Sequence, residues 1–459
     1  MFFAVTAVSP DTLCKSELDA VFISTPTLLT QSSTTPHSAS SSRFGGFTIG
    51  LVLLTWLAEA YGLQVTDPQS QQPVCLQSII HAEGIRWLLR HLTDHFILHP
   101  AFGHALLALF AWGTLMHSHL LNALLRLSAL QPYSARTLLL LPVVSGVLVP
   151  LCSSEVAFLF LPPWVICLFR QHQLPPQVGL FTVILAISCG FTHFSLFMAV
   201  TTPLILPLLL WHSCRLLQRE SSVRQRKPSP LLTGHPLPSE YPFHPSAKQP
   251  PLSYRERRAL VFSLVGGAIY LLLILWASYP VGGILRSVDG GLLHSPLMEG
   301  LVSLISIGLA LMSGIYGWVS GRYRHDSQLI EGFSELLFQL RDYLLILFVA
   351  AQMSAIYHYS HLDTYLLIQT QQLLSALLSP LALPNGALEA LVALIQQPIT
   401  LLSPFFIYMP LIMVYLRWIQ PTATYFTLWH YSWLPLLLIG LFRVLLWMAW
   451  WQFGWPFTL

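Results

Sequence analysis

Charge is what this chain has least of. Only 9% of its 459 residues are Asp, Glu, Lys or Arg, whereas ordinary soluble domains carry about 25%. With 54% of residues hydrophobic, that scarcity excludes a water-soluble fold and points to an all-α polytopic membrane protein. The formal net charge of +3 is too small for a nucleic-acid binder. Cysteine is sparse and badly spaced for ligation. The six cysteines show no CxxC or similar pattern, which leaves neither a disulfide frame nor a zinc site, and no cofactor is expected. Converging acids and nucleophile–base pairs are also missing from the apolar segments, so an intramembrane enzyme is not expected. Residues 1–8 are too short and too uncharged for a cleaved signal peptide.

What charge there is lies unevenly. Nine of the 22 basic residues fall between Arg215 and Arg258, which makes that loop cytoplasmic by the positive-inside rule. Within it the Pro-rich residues 228–251 lack any apolar run and read as an extended linker. Four regions follow: a Ser/Thr-rich lead without periodicity (1–43), expected to be disordered; a first membrane half (44–216); the linker (217–258); and a second membrane half (259–459).

Apolar segments at 47–63 and 101–121 predict the first two spans, with an amphipathic, interfacial stretch at 76–99 between them. Residues 178–211 are too long for one straight span and contain Gly190 and Pro203, which predicts a break. In the second half, spans are expected at 259–277, 297–318, 343–358 and 433–451. An amphipathic connector is expected at 322–342, a short arm at 366–378 and a polar-interrupted stretch around Gln396 and Gln397.

Residues 137–169 carry the strongest functional signal. Two apolar arms of about 15 residues, each short of the ~20 a helical span needs, flank the polar island Cys152-Ser153-Ser154-Glu155. Such arms predict a re-entrant hairpin with its polar tip inside the protein, and the second half echoes the arrangement as inverted-repeat transporters do. A carboxylate set in hydrocarbon costs a few kcal/mol and usually serves a path or a partner. Glu155 is therefore a candidate proton carrier, or else a wetted tip carboxylate coupled to nothing. Ser153, Ser154, Gln396, Gln397, Thr400 and Ser403 offer neutral hydrogen bonds to a substrate, or simply pack helices. His91, His95 and His99 share a helical face and suggest an interfacial ladder more than a metal site. Arg443, inside the last span, would snorkel, pair with lipid headgroups or meet a carboxylate in the transport core, and reads as structural more than functional. Glu59 reads as interfacial.

From residue 44 onward the chain resembles the p-aminobenzoyl-glutamate transporter (AbgT) family. The likeness rests on Ala82-Glu83-Gly84-Ile85-Arg86-Trp87, Ser145-Gly146-Val147-Leu148, Gly190-Phe191-Thr192, Glu299-Gly300-Leu301-Val302, Gly314-Ile315-Tyr316-Gly317, Phe348-Val349-Ala350-Ala351-Gln352 and Ser403-Pro404 followed by Tyr408-Met409-Pro410. The resemblance implies an inverted-repeat secondary transporter of the inner membrane, a homodimer with two re-entrant hairpins. It would move p-aminobenzoyl-glutamate or sulfonamide-like antimetabolites with H+ or Na+ as coupling ion. The chain departs from the family where it carries Ser154 beside Glu155 at the first tip, Thr201 or Thr202 near the end of the long span, and Gln396 and Thr400 in the second half. Part of the second hairpin is absent by this comparison, which implies weaker substrate binding or a degenerate homologue that binds without transporting.

Overall fold

The computed structural model describes residues 37–66, 73–129, 135–190, 196–226, 252–280, 283–287, 291, 295–378, 391, 403–420 and 423–453. By internal contacts the chain divides into Met1–Ile49 and Gly50–Leu459. Of the first unit, the described residues are the opening turns of a helix that begins at His37. That helix, α1 (His37–Ala60), enters the Ser-rich lead that sequence alone would leave unstructured. Adding turns to an existing apolar helix needs no new nucleus, so even a Ser-rich stretch propagates.

The remaining elements belong to the second unit, which is not purely helical. A two-stranded antiparallel ribbon, β1 (Gln64–Thr66) and β2 (Pro73–Cys75), pairs Val65 with Val74 directly after α1. The interfacial stretch becomes two short helices, α2 (Ala82–Arg90) and α3 (Leu92–Ile97). α4 (Pro100–His117) follows, ending in a turn at His119 whose φ of 63° breaks it from α5 (Leu120–Ala129).

The hairpin forms as α6 (Ala135–Cys152) and α7 (Ser154–Gln171), parted by the single residue Ser153. Leu138 near the start of α6 and Leu168 near the end of α7 line one cavity, so the arms run back along each other. α8 (Pro176–Gly190) and α9 (Leu196–Arg226) follow; residues 191–195, next to the break expected at Gly190, are outside the described set, and Pro203 lies within α9. Residues 227–251 are outside the described set.

α10 (Tyr254–Ser278) starts on a capping box. The Glu256 carboxylate accepts the Ser253 N–H at 2.9 Å, and the Ser253 hydroxyl accepts that of Glu256 at 3.5 Å. Beyond the short α11 (Pro296–Glu299), α12 (Leu301–Ser320) packs along α10 and ends on Gly321 at φ 78°, a left-handed cap that glycine adopts freely. One 34-residue helix, α13 (Asp326–Tyr359), replaces the expected connector and span. No Gly or Pro falls between residues 333 and 359 to divide them. α14 (Leu362–Leu378) bends 67° from it at His361. α15 (Met409–Ile419) and α16 (Tyr425–Gln452) complete the described helices.

Two groupings result. In one, α6, α8, α9 and α16 meet around Val143, Val147, Leu185, Ala186, Ile205 and Leu436, with α7 against α8. Close approach is possible because Gly146 has no side chain: a Cβ there would lie 2.6 Å from Ala186 Cβ. In the other, α4, α10, α12 and α13 pack together, with α4 between α12 and α13. Among the described residues three helices are long and apolar enough to cross a membrane, or four if the bent α13–α14 pair counts as one.

Candidate functional site at the hairpin tip

The tip is the amino end of α7. Ser153 is extended (φ −158°), and its hydroxyl accepts the Val156 N–H at 3.3 Å, so a residue expected to face substrate also starts the helix. Ser154 and Glu155 occupy the first turn, where the helix dipole favours a carboxylate. Glu155 Oε2 lies 3.0 Å from Nδ1 of His104 on α4. The nitrogen makes no hydrogen bond among the described residues, so the two groups are in close contact without an aligned donor and acceptor. Both side chains keep about a third of their surface, 37% for His104 and 36% for Glu155, so the pair stands at the edge of an accessible space.

The other wall comes from the turn before α15. Ser403 shapes it by accepting the Phe405 N–H at 3.2 Å. The Tyr408 hydroxyl faces the Glu155 carboxylate, and its ring stacks on Phe158 at 5.2 Å, with Phe406 edge-on to Phe158 at 5.1 Å. Two hydroxyls hold this wall in register. Tyr415 donates to the Leu159 carbonyl at 3.1 Å, joining α15 to α7, and Tyr343 donates to that of Ala101 at 3.0 Å, joining α13 to α4. A carboxylate, an imidazole, a phenol and two phenyl rings thus converge where α4, α7 and the 403–408 turn meet. Such a set can exchange a proton and stack an aromatic ring.

The structure brings together Ser153, Ser154, Glu155 and the turn carrying Ser403. Ser153 and Ser403 each accept one local N–H and retain a hydroxyl proton to donate. Gln396, Gln397 and Thr400 lie outside the described residues. Thr202 falls within α9, but its side chain is not described. Cys152, counted with the buried tip in the sequence, is exposed. His104 was not singled out by sequence, and Tyr408 was noted only as part of the family resemblance, not as a site residue. A histidine in an apolar helix carries no mark of its partner, and the one available signal was that α4 has to pack against something carrying charge.

Other residues flagged in the sequence have structural tasks. Glu59 accepts the Ser78 N–H at 3.2 Å and sits 2.8 Å from His81 Nε2, pinning the chain after β2 to the end of α1. The histidine ladder is a packing element. His91 Nδ1 meets the Trp87 carbonyl at 2.9 Å, His95 approaches Gln352 at 3.4 Å, and His99 caps α4 by accepting the Ala101 N–H. Burial lowers the pKa of His95 and His99; the neutral ring of His99 accepts through Nδ1, whereas His95 donates its Nδ1–H to the Gln352 side-chain oxygen. Arg443 is buried at 2% exposure and donates to the Cys189 carbonyl near the end of α8, a structural contact. A cation at a helix C-terminus complements its unpaired carbonyls.

The chain is 22% identical over 349 residues to the p-aminobenzoyl-glutamate transport protein of Escherichia coli K12, covering 72% of this chain and 67% of that protein. Its fold is similar to the crystal structure of the Alcanivorax borkumensis YdaH transporter, described as having an unusual topology. The TM-score is 0.52 at 22% identity, over 90% of this chain and 98% of that one. The Neisseria gonorrhoeae protein MtrF, described as illuminating a class of antimetabolite efflux pumps, gives a TM-score of 0.49 at 19% identity, over 89% and 93%. Residues 36–224 and 243–397 match the AbgT putative transporter family, so this multi-pass inner-membrane chain belongs to that family.

Proposed function

We propose that the chain is a proton-coupled secondary transporter of an aromatic amide such as p-aminobenzoyl-glutamate, or of a sulfonamide-like antimetabolite, and works as a homodimer. The observation that carries this reading is the Glu155 carboxylate at the tip of a re-entrant hairpin, shared between His104 and Tyr408 beside Phe158 and Phe406. In this reading Glu155 carries the coupling proton, with His104 Nδ1 3.0 Å from its carboxylate. Phe406, partly exposed and backed by the fully buried Phe158, stacks the aryl ring, such a pair contributing about 0.5–1.5 kcal/mol beyond burial. Ser153, Ser154, Thr202, Gln396, Gln397, Thr400 and Ser403 line the solute path with neutral hydrogen-bonding groups. No cofactor takes part.

The experiment is transport into proteoliposomes of labelled p-aminobenzoyl-glutamate and of a sulfonamide, driven in turn by a pH gradient and a sodium gradient. Gradient-driven movement is expected for the wild type with the pH gradient, and a loss of at least about tenfold in Glu155→Gln, while gradient-free exchange survives. Undiminished pH-driven transport in Glu155→Gln rejects the coupling role. Sodium-driven movement alone reassigns the ion. A wild type that binds solute but moves none under either gradient identifies a non-transporting homologue instead.

A further inference from the structure

Along the hairpin, from Val149 and Val156 next to its tip to His172 at its base, five helices line a cavity of about 490 Å³, within the span of roughly 300–1,000 Å³ typical of ligand sites. Its wall is apolar almost throughout: Trp112 from α4, Leu121 from α5, Leu138 and Leu141 from α6, Leu168 from α7 and Leu309 from α12. It therefore separates the hairpin from the α4–α12 group. Leu141 both lines the cavity and is 42% exposed, and on the same helix Leu140 and Leu148 are exposed at 44% and 55%. The mouth thus opens through apolar outer surface, so its occupant comes from the bilayer and not from water.

One further observation narrows the occupant. Trp112 is only 3% exposed, and its indole N–H finds no acceptor among the described residues. An unpaired buried donor is costly, and a plain hydrocarbon would leave it unpaired. The polar lining side chains Thr137 and His172 belong to the base of the hairpin, where α6 begins and α7 has just ended. We infer that the cavity is a lipid site holding one acyl chain of a membrane phospholipid, with an ester carbonyl accepting from Trp112 and the headgroup at the Thr137–His172 end. This assignment does not depend on the solute transported.

The test uses the whole protein in nanodiscs of phosphatidylethanolamine and phosphatidylglycerol, doped with a phospholipid carrying a diazirine in its acyl chain. After irradiation, adducts are mapped by peptide mass spectrometry. Expected is labelling of residues 112–125, 137–141 and 160–172 as well as of the lipid-facing residues 271–273 of α10. Leu309→Trp, which fills the cavity, is expected to lower cavity adducts at least fivefold and leave the α10 adducts unchanged. Trp112→Phe, which keeps the ring but removes the donor, is expected to lower them severalfold. Wild-type labelling confined to α10 overturns the site without recourse to any variant. Equal cavity labelling in a folded Leu309→Trp protein overturns it too, and unchanged labelling in Trp112→Phe overturns the carbonyl contact.

Discussion

α8 and α10 are both long apolar segments, yet they end in opposite surroundings. Every residue of α8 from Val178 through Gly190 is buried in protein, whereas α10 buries only Ala259, Leu260, Ser263 and Ser278. The outer side of α10 presents Leu271, Leu272, Leu273 and Trp276. Hydropathy measures how readily a segment leaves water, and lipid and protein interior satisfy it equally. The few polar groups tell the two apart better. On α10, Ser263 donates to the Met312 carbonyl at 2.8 Å and Tyr270 to that of Leu304 at 2.9 Å, both toward α12. On α8, Thr182 donates to Ser213 of α9 at 2.9 Å. Polar side chains mark the protein-facing side, since in lipid they would have no partner.

The contrast breaks most sharply at glycines. Gly146→Leu should destabilise the protein by about 3 kcal/mol or more, because a Cβ there already lies 2.6 Å from Ala186 Cβ and 3.2 Å from the Val183 carbonyl oxygen. Thermal unfolding in one detergent would record this as loss of a folded, monodisperse protein. An unchanged midpoint would mean that α6 and α8 are not in close contact. Arg443→Met should cost about 1–3 kcal/mol by leaving the Cys189 carbonyl without its donor. A neutral result would place that carbonyl in contact with water.

A smaller effect depends on pH. His119, in the turn after α4, has its pKa pushed down from 6.5 to about 4, by burial first and then by Arg322, His117 and Arg126. Asn122 donates to its Nδ1 at 3.0 Å, which needs the unprotonated ring. The unfolded chain therefore binds this proton more readily. The contribution to stability is complete above pH 6.5 and is lost as pH falls toward 4. His119→Asn tolerates the left-handed φ and removes the titration. Its unfolding midpoint should fall less than that of the wild type between pH 7 and 5, and parallel curves would show that this group carries no acid sensitivity. The smallest effect has the opposite sign. Gly314 of α12 has open space around it, so Gly314→Ala should leave stability unchanged or raise it by up to about 1 kcal/mol. A loss instead would mean that another surface packs there.

Glu155 was legible because a carboxylate between two apolar arms is an anomaly in one dimension. Its surroundings were not. His104, Tyr408 and Phe406 reach it only because α4 and the 403–408 turn pack on α7, and each alone is an unremarkable residue of an apolar segment. The expected division between an amphipathic connector and a span at residue 343 failed for a related reason. Polarity changes there, but the backbone of α13 has nothing to break it. The break between residues 357 and 365 was readable, since polar clusters interrupt helices locally.

What the sequence by itself determined is the set of properties that add up residue by residue: membrane residence, the two short arms with their polar tip, and the clustering of basic residues between Arg215 and Arg258. Each is a sum of transfer free energies or local charges along the chain. Only the tertiary structure decided which apolar faces meet protein and which meet lipid, that Arg443 serves a helix end, and that Glu155 has an imidazole 3.0 Å away. Those outcomes depend on pairs of residues far apart in the chain, and the energy of a pair exists only once packing has set its distance.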